Sequence, residues 1–546
     1  MRGPFGTTVA DYTGTIPRLL ARAAHRDPDG IWIRTDEQTL TFGAAAGQAA
    51  ARAADLAEAG TGHGDLVLVT ARTTPEYLLT WLALAALGAI TVPVNPASSA
   101  AELAGLVGQV RPRAVVTDRP LLDSGLGAVL GPGGAGDGAV RAVIDVAELG
   151  AGHPGLTLAD LPTGAAAPGD LAVLIPTSGT TGRSKLVMQT HRAYAMAAEG
   201  FPFWMGLSAG DRLMTSLPLF HINAPIYSAL GSLACGAGLI LVPRFSASGF
   251  LDAARRHGAT EFNAIGAMLE ILMRQPERPD DADNPLRLCY AGPAPERERQ
   301  EQIERRFGIE IVVGYAMSES PYGLIWPHGT RPFGTLGAVR QHPYLGTINE
   351  AKVVAVPEAD ADGGSAPGAG AGPAPGTELG PGQTGEILLR NPVITPGYWE
   401  MPEQTAAIMA DGGWLRTGDI VTVNSDRTYT FVSRRKEVLR RRGENLSPLE
   451  VEEVLDSHPS VLESAVVGVA SDLTEEEIKA FVVPAPGAVV DFAELREYAA
   501  ARLSAFKVPR FWQLAEELPR TPTARLARHR LPAGHQPGEY DAEADA

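Results

Sequence analysis

Nine consecutive residues, Thr177-Ser178-Gly179-Thr180-Thr181-Gly182-Arg183-Ser184-Lys185, join glycines, hydroxyls and a lysine directly after the apolar run LAVLIPT. Glycines let a loop fold tightly and turn its backbone N–H groups towards an anion, while hydroxyls and an ammonium add donors. The order GTTGRSK lacks the four-residue gap of a Walker A loop, so a different phosphate cradle is expected. The lysine carries weight because only five of the 46 basic residues are lysine: Lys185, Lys352, Lys436, Lys479 and Lys507. Arginine has replaced lysine almost everywhere else.

Such a loop needs a rigid frame, and the chain supplies alternating strand-like and helix-like segments through its first ~430 residues, as open α/β sheets require. DLVLVTA (65–71), ITVPVN (90–95), LAVLIPT (171–177), GLILVPR, TEFNAIG and IEIVVGYA read as buried strands. Residues 75–89, 250–257 and 295–307 read as helices between them. Residues 131–170, rich in Gly, Pro and Ala, read as a surface excursion, and the low-complexity 357–383 as a lengthened hairpin loop. A smaller α+β unit begins near Arg434, with helices at 448–457 and 491–503 and strands at 464–469 and 479–483. The last residues, ending EYDAEADA, read as a frayed acidic tail.

Composition excludes several classes. At 546 residues with 45% hydrophobic content the chain is too long for one core and too apolar for disorder. A formal charge of −17 argues against a nucleic-acid partner. Cys235 and Cys289 are too few for a disulfide framework or a cysteine-rich metal site. No apolar run is long enough to span a membrane, and no signal peptide is apparent, so a cytoplasmic enzyme is expected.

The phosphate loop resembles that of the adenylate-forming superfamily, which includes acyl-CoA synthetases. LPLFHINA (217–224), YAGPAP (290–295), GYAMSES (314–320), GQTGEI (382–387), WLRTGDI (414–420), RRKEVLRRRGENLSPLEVE (434–452) and LPRTPTARLARHRL (518–531) follow in family order. The resemblance implies an α/β fold. A large N-terminal AMP-binding domain (1–434), built of α/β subdomains and a β-barrel-like subdomain, would precede a small mobile α+β domain (435–531) and the acidic tail (532–546).

It also implies two half-reactions: a carboxylate attacks the α-phosphate of ATP, then a thiol, usually of coenzyme A, displaces AMP from the acyl-adenylate. Tyr315 would stack on adenine, with Gly292, Pro293 and Ala294 on its other side. Ser318 would meet a phosphate, Glu319 would hold Mg²⁺, and Asp419 and Arg434 would hold the ribose. His221 would be the gate beside the acyl carbonyl. Lys436 would be the hinge, Gly443 would flank the pantetheine tunnel, and Arg440 would meet coenzyme A phosphates. Outside the family order these readings weaken. Ser-Glu is often a helix start, Asp after Gly a turn, and a lone histidine a structural residue.

Two departures matter. Amino-acid-activating relatives place an aspartate after the gate, whereas Ile222 and Asn223 follow here, so a non-amino acid is expected. The last family motif carries Gly-Lys, and this chain has Ala524-Arg525. That lysine bridges carboxylate and α-phosphate in the first half-reaction only. Adenylation is therefore expected to be impaired and thioester formation intact, with acyl-AMP supplied by a separate adenylating enzyme. A second class of acceptor would be a carrier-protein thiol, an amine or nitrite. Small residues in 264–268, 290–294 and 314–317 imply room for a bulky acid, a substrate in keeping with secondary metabolism. A monomer or homodimer is expected.

Overall fold

The computed structural model describes residues 8–123, 127–130, 138, 140–177, 184–292, 295, 297–327, 329–356, 374–434, 439–441, 444–446, 448–470, 476–519, 528–532 and 534–544. Among them, two parallel-rich sheets carry the large domain. One has six strands in the order 142–145, 114–117, 66–70, 90–93, 171–177, 185–190. The other has nine, in the order 338–339, 320–325, 310–317, 288–292, 261–265, 212–215, 238–241, 31–34, 39–41. An antiparallel sheet of the strands 350–354, 384–390, 409–410, 414–423 and 429–434 follows. The chain is thus α/β with a large N-terminal and a small C-terminal domain.

Local chemistry explains the helices between these sheets. In Pro75–Leu87 the Thr74 side chain accepts from the Tyr77 N–H, Pro75 fits the first turn, and Gly88 ends the helix in the left-handed region. The helix is buried on nearly every side, as its unbroken apolar run requires. His191–Met205 starts from Thr190, whose hydroxyl accepts from the Ala193 N–H.

No described core cluster mixes residues before 430 with residues after 438. Tyr429 packs with Leu324, Ile387 and Val421, whereas Leu439 packs with Leu446, Ile478 and Trp512. The small domain holds a two-stranded ribbon, 439–441 with 444–446, and a four-stranded sheet.

Two readings of the sequence need correction. Residues 131–170 are not merely an excursion: Ala142–Asp145 is a parallel edge strand, and Val146, Leu149 and Leu161 are buried. The acidic tail (532–546) is not frayed over its described part. Tyr540–Asp541 adds an edge strand to Phe511–Leu514. Arg510 binds Asp541 through two nitrogens at 2.9 Å, and fully buried Lys479 binds Glu539 at 2.7 Å. The acidic residues are counter-charges for buried or half-buried cations.

His191 makes the fold acid-sensitive. Its side chain is fully buried, neither ring nitrogen has a hydrogen-bond partner among the described residues, and burial pushes its imidazole from 6.5 down to about 4, against the opposing effect of Asp170. Between those values the unfolded chain binds a proton that the folded chain refuses, so stability is full above the unfolded value and falls as pH drops through the window. His191→Phe is expected to flatten that dependence by up to ~1.4 kcal/mol per pH unit. Denaturant titrations at neutral and mildly acidic pH test this; parallel curves for the two proteins would refute it.

Candidate active site

The nine-stranded sheet has a topological switch point. From Arg212–Thr215 the chain adds 238–241 on one side, then returns to place 261–265 on the other. Open α/β sheets bind ligands in the crevice outside the carboxyl ends of such strands. There the chain delivers His221 after one strand, Ile265 and Gly292 at the ends of two more, and Tyr315 near the end of Glu310–Met317.

Phosphate-loop chemistry sits at a hairpin. Leu171–Thr177 pairs antiparallel with Lys185–Thr190, with Thr177 opposite Lys185 and its hydroxyl donating to the Lys185 carbonyl at 3.2 Å. Ser178, Gly179, Thr180, Thr181 and Gly182, between them, lie outside the described residues. So do Pro293, Ala294, Lys436, Gly443 and Arg525; for Arg434 and Arg440 only the backbone is described.

Residues 395–399 run beside this hairpin and were not expected from the sequence. The Met188 N–H donates to the Gly397 carbonyl at 3.0 Å, and the Trp399 N–H to the Leu186 carbonyl at 2.9 Å. Gly397 has φ 136°, and a Cβ there would lie 2.4 Å from Thr405, so only glycine fits. This turn aims Tyr398 at the site. Its hydroxyl donates to Glu319 Oε1 at 2.7 Å, and Lys185 Nζ lies 5.2 Å from its ring centre. The Thr395 N–H donates to the Glu319 carbonyl at 2.8 Å, and Gln189 Nε2 to the Ser318 carbonyl at 2.6 Å. Lys185, Tyr398, Ser318 and Glu319 therefore gather in one place. The Pro-Gly-Tyr-Trp run at 396–399 was the available signal for Tyr398.

A second cluster joins the two domains' border. Tyr315 donates its hydroxyl to Asp419 Oδ2 at 2.5 Å. Asp419 is 1% exposed, and in the ladder it stands directly opposite Arg434. Tyr315, Asp419 and the Arg434 backbone are thus neighbours although 104 residues separate the first pair in sequence.

The third cluster crosses between domains. His221 Nε2 lies 2.9 Å from Glu444 Oε2, on the ribbon of the small domain. Glu444 adjoins Gly443, and sequence reasoning had passed over it. The small domain also docks through Lys507, which binds Glu102 of the large domain and Glu450 of its own at 2.7 Å each. The Ser504 hydroxyl donates to Glu102 at 2.5 Å.

Expected room for a bulky acid fails at one point. A Cβ on Gly314 would lie 2.3 Å from the Tyr290 ring. The space that this glycine vacates is filled by an aromatic side chain.

The family model for AMP-binding enzymes matches residues 20–399, and that for the AMP-binding enzyme C-terminal domain matches residues 450–525. The chain belongs to the AMP-binding enzyme family. This AMP-binding enzyme is similar to a sulfoacetate–CoA ligase of Cupriavidus necator, 30% identical over 96% of this chain and 98% of the relative. A crotonobetaine/carnitine–CoA ligase of Salmonella paratyphi C is also 30% identical, over 86% and 89%. Among solved structures, o-succinylbenzoate CoA synthetase (MenE) from Bacillus subtilis, bound with its product analogue OSB-NCoA, superposes with TM-score 0.78. It is 26% identical over 94% of this chain and 98% of that one. ATP-bound MatB from Rhodopseudomonas palustris gives TM-score 0.66 at 25% identity, over 94% and 97%. The AMP-binding enzyme is an acyl-CoA synthetase of the adenylate-forming superfamily, using ATP, coenzyme A and a carboxylic acid. Among the described residues no helix is long and apolar enough to cross a membrane.

Proposed function

We propose that the protein forms an acyl-CoA thioester from a non-amino carboxylic acid through an acyl-adenylate, and that thioester formation is its stronger half-reaction. In the first half an acid oxygen bonds to the α-phosphorus of ATP and pyrophosphate leaves. In the second the thiol sulfur of coenzyme A bonds to the acyl carbon and AMP leaves.

Lys185 and the hydroxyls of the phosphate loop hold the phosphates. Tyr315 stacks on adenine, held by Asp419 until ribose hydroxyls compete for that carboxylate. Glu319 suits Mg²⁺: its half-buried carboxylate has one oxygen on the hydroxyl of Tyr398, the ring that Lys185 faces, leaving a hard oxygen donor where phosphate would arrive. When bound, the ion would neutralise charge on the leaving pyrophosphate.

The observation that carries the emphasis on the second half is the contact between His221 and Glu444. It sets Glu444, at the start of the strand Glu444–Leu446, against the gate, on the side of the site from which the small domain would admit a thiol. Incubating the protein with synthetic acyl-AMP and coenzyme A, beside acid, ATP and coenzyme A, tests the proposal. Thioester from the first mixture at a clearly higher rate supports it; none from either mixture refutes it.

Glu444→Gln is expected to slow thioester formation from acyl-AMP on the order of tenfold, a modest loss because His221 is half-exposed. Acid-dependent pyrophosphate release should be unchanged. Equal slowing of the two would place the role of Glu444 in folding instead.

A further inference from the structure

At the switch point a polar pair lies between apolar immediate neighbours, Ile222 and Ala224 on one segment and Phe262 and Ala264 on the other. Asn263, on the strand Glu261–Ile265, is 1% exposed, and its Nδ2 donates to Asn223 Oδ1 at 2.5 Å. Asn223 is the second residue after His221 and is half-buried. Asn263 Oδ1 is buried with no hydrogen-bond partner among the described residues, and Asn223 Nδ2 donates to no described group. Rotating both amides by half a turn exchanges donor and acceptor and leaves the same deficit.

A buried carboxamide with one end unmet bears the full desolvation penalty of that atom. Valine or leucine would serve packing better at this strand position. Glu261, two residues earlier on the same face, also has both carboxylate oxygens buried without a partner among the described residues, but it lies at the amino end of the strand, away from the crevice. Next to Asn263 in the ladder stands Tyr290, whose hydroxyl is already engaged by Arg340 Nη2 at 2.5 Å. The acceptor nearer the crevice therefore belongs to the asparagine pair, with Asn223 two residues after the gate and Asn263 two residues before the carboxyl end of its strand.

We infer that the acid carries a hydroxyl group, read by Asn263 and Asn223. A hydroxyl is the small group that both donates and accepts. It can donate to Asn263 Oδ1 while accepting from Asn223 Nδ2, and so satisfies both open positions together. An unsubstituted hydrocarbon chain would leave the buried Asn263 acceptor unmet, and sites built to hydrogen-bond a substrate group discriminate strongly against analogues lacking it. The inference rests on the acyl-CoA synthetase reading and deepens it to a substrate class, hydroxylated carboxylic acids.

Binding of non-reacting acyl-sulfamoyl adenosines, measured by calorimetry on the full chain, tests the inference apart from catalysis. The probes are matched pairs: β- and γ-hydroxybutanoyl against butanoyl, and ortho-, meta- and para-hydroxybenzoyl against benzoyl. At least one hydroxylated member should bind on the order of tenfold or more tightly than its parent. Asn263→Leu should abolish that preference while keeping affinity for the parent. Asn223→Leu should do the same, and it decides the matter should the Asn263 variant not fold. No preference in any pair, or a preference that survives both substitutions, overturns the inference. Absence of thioester from acyl-AMP and coenzyme A would instead count against the acyl-CoA synthetase reading, with the binding preference still scored.

Discussion

Replacing Ala524-Arg525 by Gly-Lys is expected to raise acid- and ATP-dependent pyrophosphate release on the order of 100-fold while thioester formation from preformed acyl-AMP stays unchanged. The reason is differential use of one cation. The first transition state builds charge between the incoming carboxylate and the α-phosphate, and a compact ammonium can sit between them. A planar guanidinium keeps the charge but spreads it over a fork too wide for a crowded centre. Alanine before it also loses the left-handed backbone freedom of glycine. The second half-reaction, in the proposal above, draws instead on the face where Glu444 meets His221. Single substitutions Arg525→Lys and Ala524→Gly divide the effect between charge shape and backbone. Robust pyrophosphate exchange by the unmodified protein, at a rate matching its thioester formation, would show that arginine suffices. The impaired-adenylation part of the proposal would then be withdrawn.

Replacing Arg340 is expected to lower the melting temperature by about 3 °C, corresponding to roughly 3 kcal/mol in a domain of this size. Its side chain is fully buried, yet no carboxylate among the described residues pairs with it. The guanidinium donates to the hydroxyls of Tyr227 at 2.9 Å and Tyr290 at 2.5 Å, and to the carbonyls of Pro321 and Leu324 at 3.0 Å each. It also lies 4.4 Å from the centre of the Trp204 ring. Arg340 thus ties the strand Ser320–Ile325 to the strand carrying Tyr290 and to the helical turn carrying Tyr227. Arg340→Met keeps volume but strands those acceptors without a donor. Arg340→Lys keeps the charge but cannot reach four acceptors in a plane, so it should also destabilise. Apolar replacement of buried ions is sometimes neutral or stabilising. An unchanged or raised melting temperature for Arg340→Met would show that the buried cation is a burden to this fold.

Much of the frame was legible because burial leaves a local mark. LAVLIPT is a continuous apolar run, and the observed strand is Leu171–Thr177; helix 250–257 ends at a glycine in the left-handed region, and Gly258 has φ 66°. Errors arose where the determining partner was remote. The tail reads as solvated charge until Arg510 and Lys479 are brought beside it. Ala142–Asp145 is four residues within a glycine-rich stretch, too short to show a period, and only its neighbour Ala114–Thr117 makes it a strand.

The same division holds for the site. Residue types by themselves pointed to Lys185 in a phosphate-loop pattern; His221, Tyr315, Glu319 and Asp419 were named through the order of short motifs that resemble a family's, which is a property of the chain and not of the fold. Tyr398 and Glu444 could not be found that way. Each acts through a partner, Glu319 or His221, and the latter pair is 223 residues apart in sequence. Gly314 reads as empty space until the Tyr290 ring occupies it. Asn223 and Asn263 carry no motif and become a site only because the chain crosses from one side of the strand Arg212–Thr215 to the other. By itself the sequence determined the family and where most of the frame's strands and helices run, because motifs and burial patterns depend on neighbours along the chain. Only tertiary structure decided which groups meet and which space is filled, because distance in a folded sheet is set by strand order and not by residue number.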